Sequence, residues 1–485
     1  MKEKRDSLAE YIGISSPEVP KYLLTNNFLT KFFDYDKNTD KEIKYEDFVN
    51  ILVCEEGNKE KEKKIKESFQ IFFDCFSGRN ILNISQESNK IFYFPIVEKM
   101  LRPGSHNLRQ VLFAMLYLND EEYGELQGLL RNYLFQQRSG TNQLMSQMCQ
   151  AVSDVQLVRA NRNVNESFSN LPKKVFRDLG RNLLGDLRVL LSHPTFLELD
   201  FYKRYDYLST LLTFYVIQFI IYRWNEKEPF ILCKGSDKSS SLMTGEIHRA
   251  CIRNYSDIRE VFPKLQKRYY GEKAKSEKEE FFILKYQAGK VFVNNTPFFE
   301  YINALFDGRF REKPESIELV KDCFQINDKQ CVRECSKEEF VYRYFNFVKR
   351  KKGSNVVKIS STLPTSGREC GFVFPKSNTR FKYFALSQEL LELFVRLYLA
   401  EINEEYDYLD NFVKHLETKY HIYIVKSNQI DKYLSNYQMK ITASEFRKNE
   451  EALIENLTES NCMIKLSDSG YVITLPEKRG EFRLL

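Results

Sequence analysis

The 485 residues suffice for two to four domains at about 100 to 200 residues each, and 14% aromatic content, with 39 Phe and 29 Tyr against one Trp, excludes wholesale disorder. A net charge of +6, from 73 basic and 67 acidic residues, permits an anionic partner without demanding one. Ten Cys without paired regularity, and no apolar signal core in MKEKRDSLAEY, lead us to expect a reduced, cytoplasmic protein.

Residues 18–52 read as two short helices around DYDKNTDKEIKYEDF. With Asp36 as first ligand, Asn38, Asp40 and Asp47 fall at the third, fifth and twelfth positions of a calcium loop flanked by Phe32 and Phe48. Lys41 stands where that loop's turn requires Gly, and Asp47 replaces the bidentate Glu. A polar turn is the expected reading; a calcium-regulated interaction protein is the alternative. Helical spacing continues through 89–102, 108–118, 120–138 and 141–160, and NRNVNESFSNLP then breaks the pattern, closing an N-terminal helical domain over 1–165. His106 stands alone in a loop, as surface histidines do.

From Pro172, an apolar stripe of Val175, Leu179, Leu183, Leu184, Leu187 and Leu190 predicts an amphipathic helix with Arg and Lys on its other face. SHPTF turns the chain back into Tyr207–Trp224, which carries no charge between Tyr207 and Tyr222. A spanning helix needs about 20 apolar residues, and this run is shorter and holds Ser209, Thr210, Thr213 and Gln218. A buried helix, antiparallel to the first, is expected, with no membrane contact.

GSDKSSS offers no phosphate-loop spacing. The segment from Ile247 to Tyr270 then mixes Arg249, Arg253, Arg259, Lys264, Lys267 and Arg268 with the pair Tyr269 and Tyr270. Cations beside aromatic rings suit phosphate backbones and stacked bases, so these six cations are candidate nucleic-acid contacts, with an ordinary solvated surface as the plainer reading. Residues 277–310 read as helical. Cys331 and Cys335 have a spacing found in small zinc modules, but Cys323 stands alone, no His is near and a second tight pair is missing, so no metal site is expected. A Gly/Ser/Thr/Pro-rich linker over 353–371 separates a central helical domain, 166–352, from a C-terminal domain, 372–485.

In that last domain, three helices lie within RFKYFALSQELLELFVRLYLAE, EYDYLDNFVKHLETKY and SEFRKNEEALIENLTES, with a β-like HIYIV before the third. Two alternating runs around Ser467–Gly470 then form a hairpin. The expected fold is therefore mainly α, a multi-helical scaffold with a C-terminal winged-helix domain. Ser387 and Ser444 are the expected N-caps. Ser444–Leu457 would be the recognition helix, offering Arg447, Lys448, Asn449 and Asn456 to DNA against Glu445, Glu450, Glu451 and Glu455. A winged helix used for protein contact is the equal alternative.

The chain's end, with Leu466, Ser467, Asp468, Ser469, Gly470 and Val472, resembles the C-terminus of the DptG family, accessory subunits of bacterial DNA phosphorothioation-dependent restriction. Tyr471 departs from the small or acidic residue expected there. The resemblance implies a cytoplasmic partner of an ATPase and a helicase-like subunit in antiphage defence, acting on DNA that lacks the sulfur modification; it implies no catalytic residues. Consistently, no G-x-S-x-G or H-E-x-x-H motif occurs. A metal-dependent nuclease, the rival reading, would have to use Glu277, Glu279 and Glu280 with Lys285, or Asp200 with Lys203. The expected function is a non-catalytic, cofactor-free, DNA-contacting scaffold subunit of an antiphage restriction complex.

Overall fold

The computed structural model describes Lys173–Arg479 apart from short internal stretches, together with isolated residues between Tyr11 and Tyr133. The Asp36–Asp47 loop, Cys331 and most of the expected domain over 1–165 lie outside the described residues. The described chain is mainly helical. It divides into two compact units, one built on Pro172–Ser256 and Pro364–Leu485 and the other on Asp257–Leu363.

The first unit begins with α1 (Lys173–Ser192), whose Leu179, Leu183, Leu187 and Leu190 are buried as the apolar stripe requires. The short α2 (Pro194–Leu197) makes the turn, capped by His193, whose Nδ1 accepts from the Thr195 N–H. Then comes α3 (Phe201–Trp224), packed on α1, with every residue from Tyr207 to Tyr222 buried. Two of its polar side chains are tied to backbone carbonyls: Thr213 Oγ1 donates to that of Ser209, and Gln218 Nε2 to that of Tyr420. Among the described residues no helix is long and apolar enough to cross a membrane. Strand β1 (Ile231–Lys234) and helix α4 (Glu246–Arg259) follow, and the chain enters the second unit within α4.

That second unit contains α5 (Val261–Lys275), β2 (Phe281–Gln287), β3 (Lys290–Val293), β4 (Thr296–Pro297), α6 (Phe298–Leu305), α7 (Pro314–Phe324), β5 (Val332–Ser336) and α8 (Lys337–Arg350). The helix expected over 277–310 is largely an antiparallel sheet in the order β4-β3-β2-β5. Two tight turns decide this. Ala288 and Gly289 join β2 to β3, and Asn294 and Asn295 join β3 to β4, all at positive φ, the conformation that closes two-residue hairpins. Behind the sheet, Phe282, Phe298, Phe324, Phe340 and Phe347 interlock through ring contacts of 4.0 to 5.8 Å.

Back in the first unit are α9 (Thr362–Glu369), β6 (Val373–Phe374), β7 (Tyr383–Ala385), α10 (Gln388–Ile402), β8 (Tyr406–Tyr408) and α11 (Leu409–Tyr420). The chain continues through β9 (Ile422–Tyr423), α12 (Asn428–Ser435), α13 (Ala443–Glu459), β10 (Met463–Lys465) and β11 (Tyr471–Thr474). The linker expected over 353–371 thus contains a helix. The linear division into 166–352 and 372–485 also gives way, because β1 hydrogen-bonds in parallel to both β7 and β9. These strands make a small sheet in the order β6-β7-β1-β9, and a second sheet, antiparallel, runs β10-β11-β8. Ser387 caps α10 as expected, whereas α13 is capped by Thr442 in a reciprocal box with Glu445, two residues ahead of the expected Ser444.

Beneath these sheets a buried polar knot ties α1, α3, α10 and α11. Asp186 Oδ2 accepts from Tyr215 Oη at 2.6 Å and Tyr420 Oη at 2.9 Å, and Lys419 Nζ lies 2.6 Å from Asp186 Oδ1 while also pairing with Glu401. His415 sits 3.8 Å from that Glu401 and 4.7 Å from the Tyr398 ring. Burial, reinforced by Lys419 and opposed by Glu401, holds its pKa down to about 4. Elsewhere in the unit, burial and then Lys234 bring His248 to about 4 as well. An unfolded His titrates near 6.5, so between about pH 6.5 and 4 the unfolded chain binds more protons than the folded one. Stability is therefore full above pH 6.5 and is lost as pH falls through the folded value, by about 3 kcal/mol at most for His415. Thermal melts between pH 7 and 4 should show this decline, and His415→Asn should make it shallower, His248 keeping its share; an equal slope in the variant refutes the assignment.

Candidate nucleic-acid interface

All six cations singled out between Ile247 and Tyr270 are exposed, but they do not form one set. Arg249 and Arg253 lie on α4 in the first unit, while Arg259, Lys264, Lys267 and Arg268 belong to the second. Arg249 pairs with Glu246 one turn back, and Arg268 Nε with Glu272 at 3.1 Å; both are exposed pairs, which contribute little and exchange readily for phosphate. Arg253 lies over the Tyr437 ring, 4.3 Å from its centroid, in the same unit. On α5, Lys264, Lys267, Arg268 and Lys275 recur at helical spacing along one exposed side.

The aromatic pair expected beside these cations is not available to bases. Tyr269 and Tyr270 are both buried; Tyr270 packs edge-on against Phe306 and Tyr344, at 5.0 Å in each case. The helical period had already set Tyr269 apart from the cations, since residues 264, 267, 268 and 275 lie on the opposite side of α5 from 269; Tyr270, one turn from Lys267, is withdrawn by its packing instead.

On α13, Asn449 and Asn456, expected to face a DNA groove, are fully buried and committed to the strand ends. The Asn449 Oδ1 accepts from the Gly235 N–H at 3.1 Å, and its Nδ2 donates to the carbonyls of Cys233 at 3.1 Å and Ile424 at 2.8 Å. One heptad on, Asn456 Nδ2 donates to the carbonyls of Gly235 at 3.2 Å and Leu386 at 2.9 Å. Gly235, Leu386 and Ile424 directly follow β1, β7 and β9, so two amides on one helix face close the carboxyl ends of all three parallel strands. Gly235 permits the approach, because a Cβ there would lie 2.3 Å from the Asn449 carbonyl oxygen. In open sheets of this kind the carboxyl ends are where ligands usually bind; here the chain's own helix occupies that position. Arg447 and Lys448 remain exposed on the other side of α13, beside exposed Glu451 and Glu455.

A cavity of about 480 Å³ opens in the first unit between the end of α3, β9 and α12. Phe230 forms its floor, stacked between Tyr423 at 4.8 Å and Tyr433 at 4.7 Å, while Trp224, His421 and Tyr437 line its sides. The Glu228–Lys432 pair, at 2.6 Å, crosses the rim. No sequence motif marked this cavity, because its walls come from segments about 200 residues apart. No family model, curated protein or solved structure matches the chain.

Catalytic and metal constellations do not gather among the described residues. Glu277 accepts from Tyr301 Oη at 2.7 Å, and its backbone carbonyl from Lys337; Lys203 pairs with Glu392; Asp200 lies outside the described residues. Cys323 and Cys335 are buried in α7 and β5, where burial pushes both thiols up, against the thiolate form that zinc takes. No group of three or more His, Cys, Asp or Glu is arranged among the described residues to hold a metal ion.

Proposed function

We propose that the chain is a non-catalytic scaffold subunit that contacts DNA through the exposed cations of α5. The observation that carries this reading is the row of Lys264, Lys267, Arg268 and Lys275 on one side of α5, a spacing that follows a phosphate backbone. The winged-helix reading of the C-terminal part is supported by the order α10, β8, α11, β9, α12, α13, β10, β11, which adds one short helix, α12, to the three expected, and by the pairing of β8 with β11. With Asn449 and Asn456 committed to the strand ends, and acids beside Arg447 and Lys448, α13 suits a protein partner better than a groove lined by phosphates. The ATPase and helicase-like partners, and the setting in antiphage restriction, rest on the C-terminal resemblance to the DptG family.

Binding to duplex and single-stranded DNA at two salt concentrations tests this. The intact protein should bind both, more weakly at high salt. Neutralising Arg253, Arg259, Lys267 and Arg268 together should reduce the slope of log K against log salt by about 0.7 to 0.9 for each phosphate that is no longer neutralised. Negligible binding by the intact protein would remove direct DNA contact. Cleavage of plasmid in Mg²⁺, abolished by chelator, would instead favour the nuclease reading.

A further inference from the structure

Among the described residues, the second unit presents one ring that is both exposed and paired with a cation of the α5 row. Tyr342 on α8 is 58% exposed, whereas Phe340, Val341, Tyr344, Phe345, Phe347 and Val348 on the same helix are buried. Lys267 lies over the Tyr342 ring, its ammonium 5.6 Å from the centroid, and 5.1 Å from that of Phe345. Along α8, Asn346 and Lys349 follow Tyr342 at i+4 and i+7, extending the same side with an amide and a second exposed cation. The packing of α5 on α8 brings this side next to the α5 row.

Other rings are as exposed, Phe381 at 68% and Tyr408 at 59%, but Tyr342 is set apart by the Lys267 ammonium over its ring and the α5 cations beside it. A duplex gives such a ring little to contact, because its bases are stacked inside and its outside is phosphate. Unpaired nucleotides offer both halves of the match, a free π-face for the ring and a phosphate for the ammonium. We infer that Tyr342 and Lys267 form a stacking platform for single-stranded nucleic acid, with Lys264, Arg268 and Lys349 holding the backbone on either side. This rests on the proposed DNA contact and sharpens it to a preference for unpaired strands. With Lys267 over one face of the ring, a base stacks on the other.

Fluorescence anisotropy with a labelled oligo-dT, the matching oligo-rU and a duplex of equal length tests the platform on the full chain. Tyr342→Ala should weaken binding to the single strands about tenfold and leave duplex binding unchanged, while Tyr342→Phe should bind as the intact protein does. The tighter of the two single strands identifies the natural sugar. Melting curves should coincide for all three proteins, because the side chain is exposed. If the intact protein binds DNA and Tyr342→Ala binds single strands equally well, the platform is refuted and the DNA-contact reading stands. If the intact protein binds none of the three, both fail together.

Discussion

Asn449→Ala should destabilise the protein by about 3 to 5 kcal/mol, far more than removal of a typical surface amide. The substitution strands one backbone N–H, of Gly235, and two carbonyls, of Cys233 and Ile424, in an interior that water does not reach. Each buried group left without a partner costs about 1 to 3 kcal/mol, and some relaxation lowers the sum. Asn449→Asp should do no better: it keeps an acceptor for Gly235 but buries a charge facing two carbonyl oxygens. By contrast Arg447→Ala, two residues away and exposed, should stay within about 0.5 kcal/mol of the parent. Urea unfolding of the three variants measures this directly. A marginal effect of Asn449→Ala would mean that α13 is not bolted to the strand ends and is open to a groove-reading role.

Asp186→Ala should cost a similar amount, about 3 to 5 kcal/mol, for a different reason. Burial already raises the Asp186 pKa, with Lys419 and the two tyrosines working against that rise, so the carboxylate is held in the interior only by its partners. Removing it leaves Lys419 with Glu401 alone and the Tyr215 and Tyr420 hydroxyls without an acceptor. Asp186→Asn keeps an oxygen for the tyrosines but turns an NH2 donor toward Lys419 in place of the charge, so it should fall between the parent and alanine. If alanine and asparagine are equally mild, the knot contributes nothing specific and packing alone holds α1, α3 and α11 together.

The sequence made the helices legible and left the strands hidden. Tyr207–Tyr222 announces a buried helix because no charge interrupts it, and α10 announces its start through Ser387. In β2, burial alternates, but Phe281 and Ile283 on the outer face are as apolar as Phe282 and Leu284 on the inner one, so no period-2 signal survives. The turn residues Asn294 and Asn295 carried the missing information. Strands β1, β7 and β9 have four, three and two residues, and their pairing joins positions more than 150 residues apart, which local pattern does not encode. The candidate site divides the same way. The cations were legible because charge stays at the surface; the misplaced amides were not, since a buried, satisfied Asn has the same letter as an exposed one. The heptad spacing of Asn449 and Asn456, in register with buried Phe446, Leu453 and Leu457, was the available hint. Tyr342 could likewise have been found as the aromatic off the apolar side of its helix.

Whether DNA is held by α5, with α13 serving as a structural helix, comes down to one comparison. Salt-dependent binding of the same oligonucleotide should be measured for the intact protein, for a form with Arg253, Arg259, Lys267 and Arg268 neutralised, and for a form with Arg447 and Lys448 neutralised. A shallower slope and weaker binding are expected in the first variant, and parent-like behaviour in the second. Parent-like binding in the first with weakened binding in the second would overturn this assignment and return the recognition role to α13.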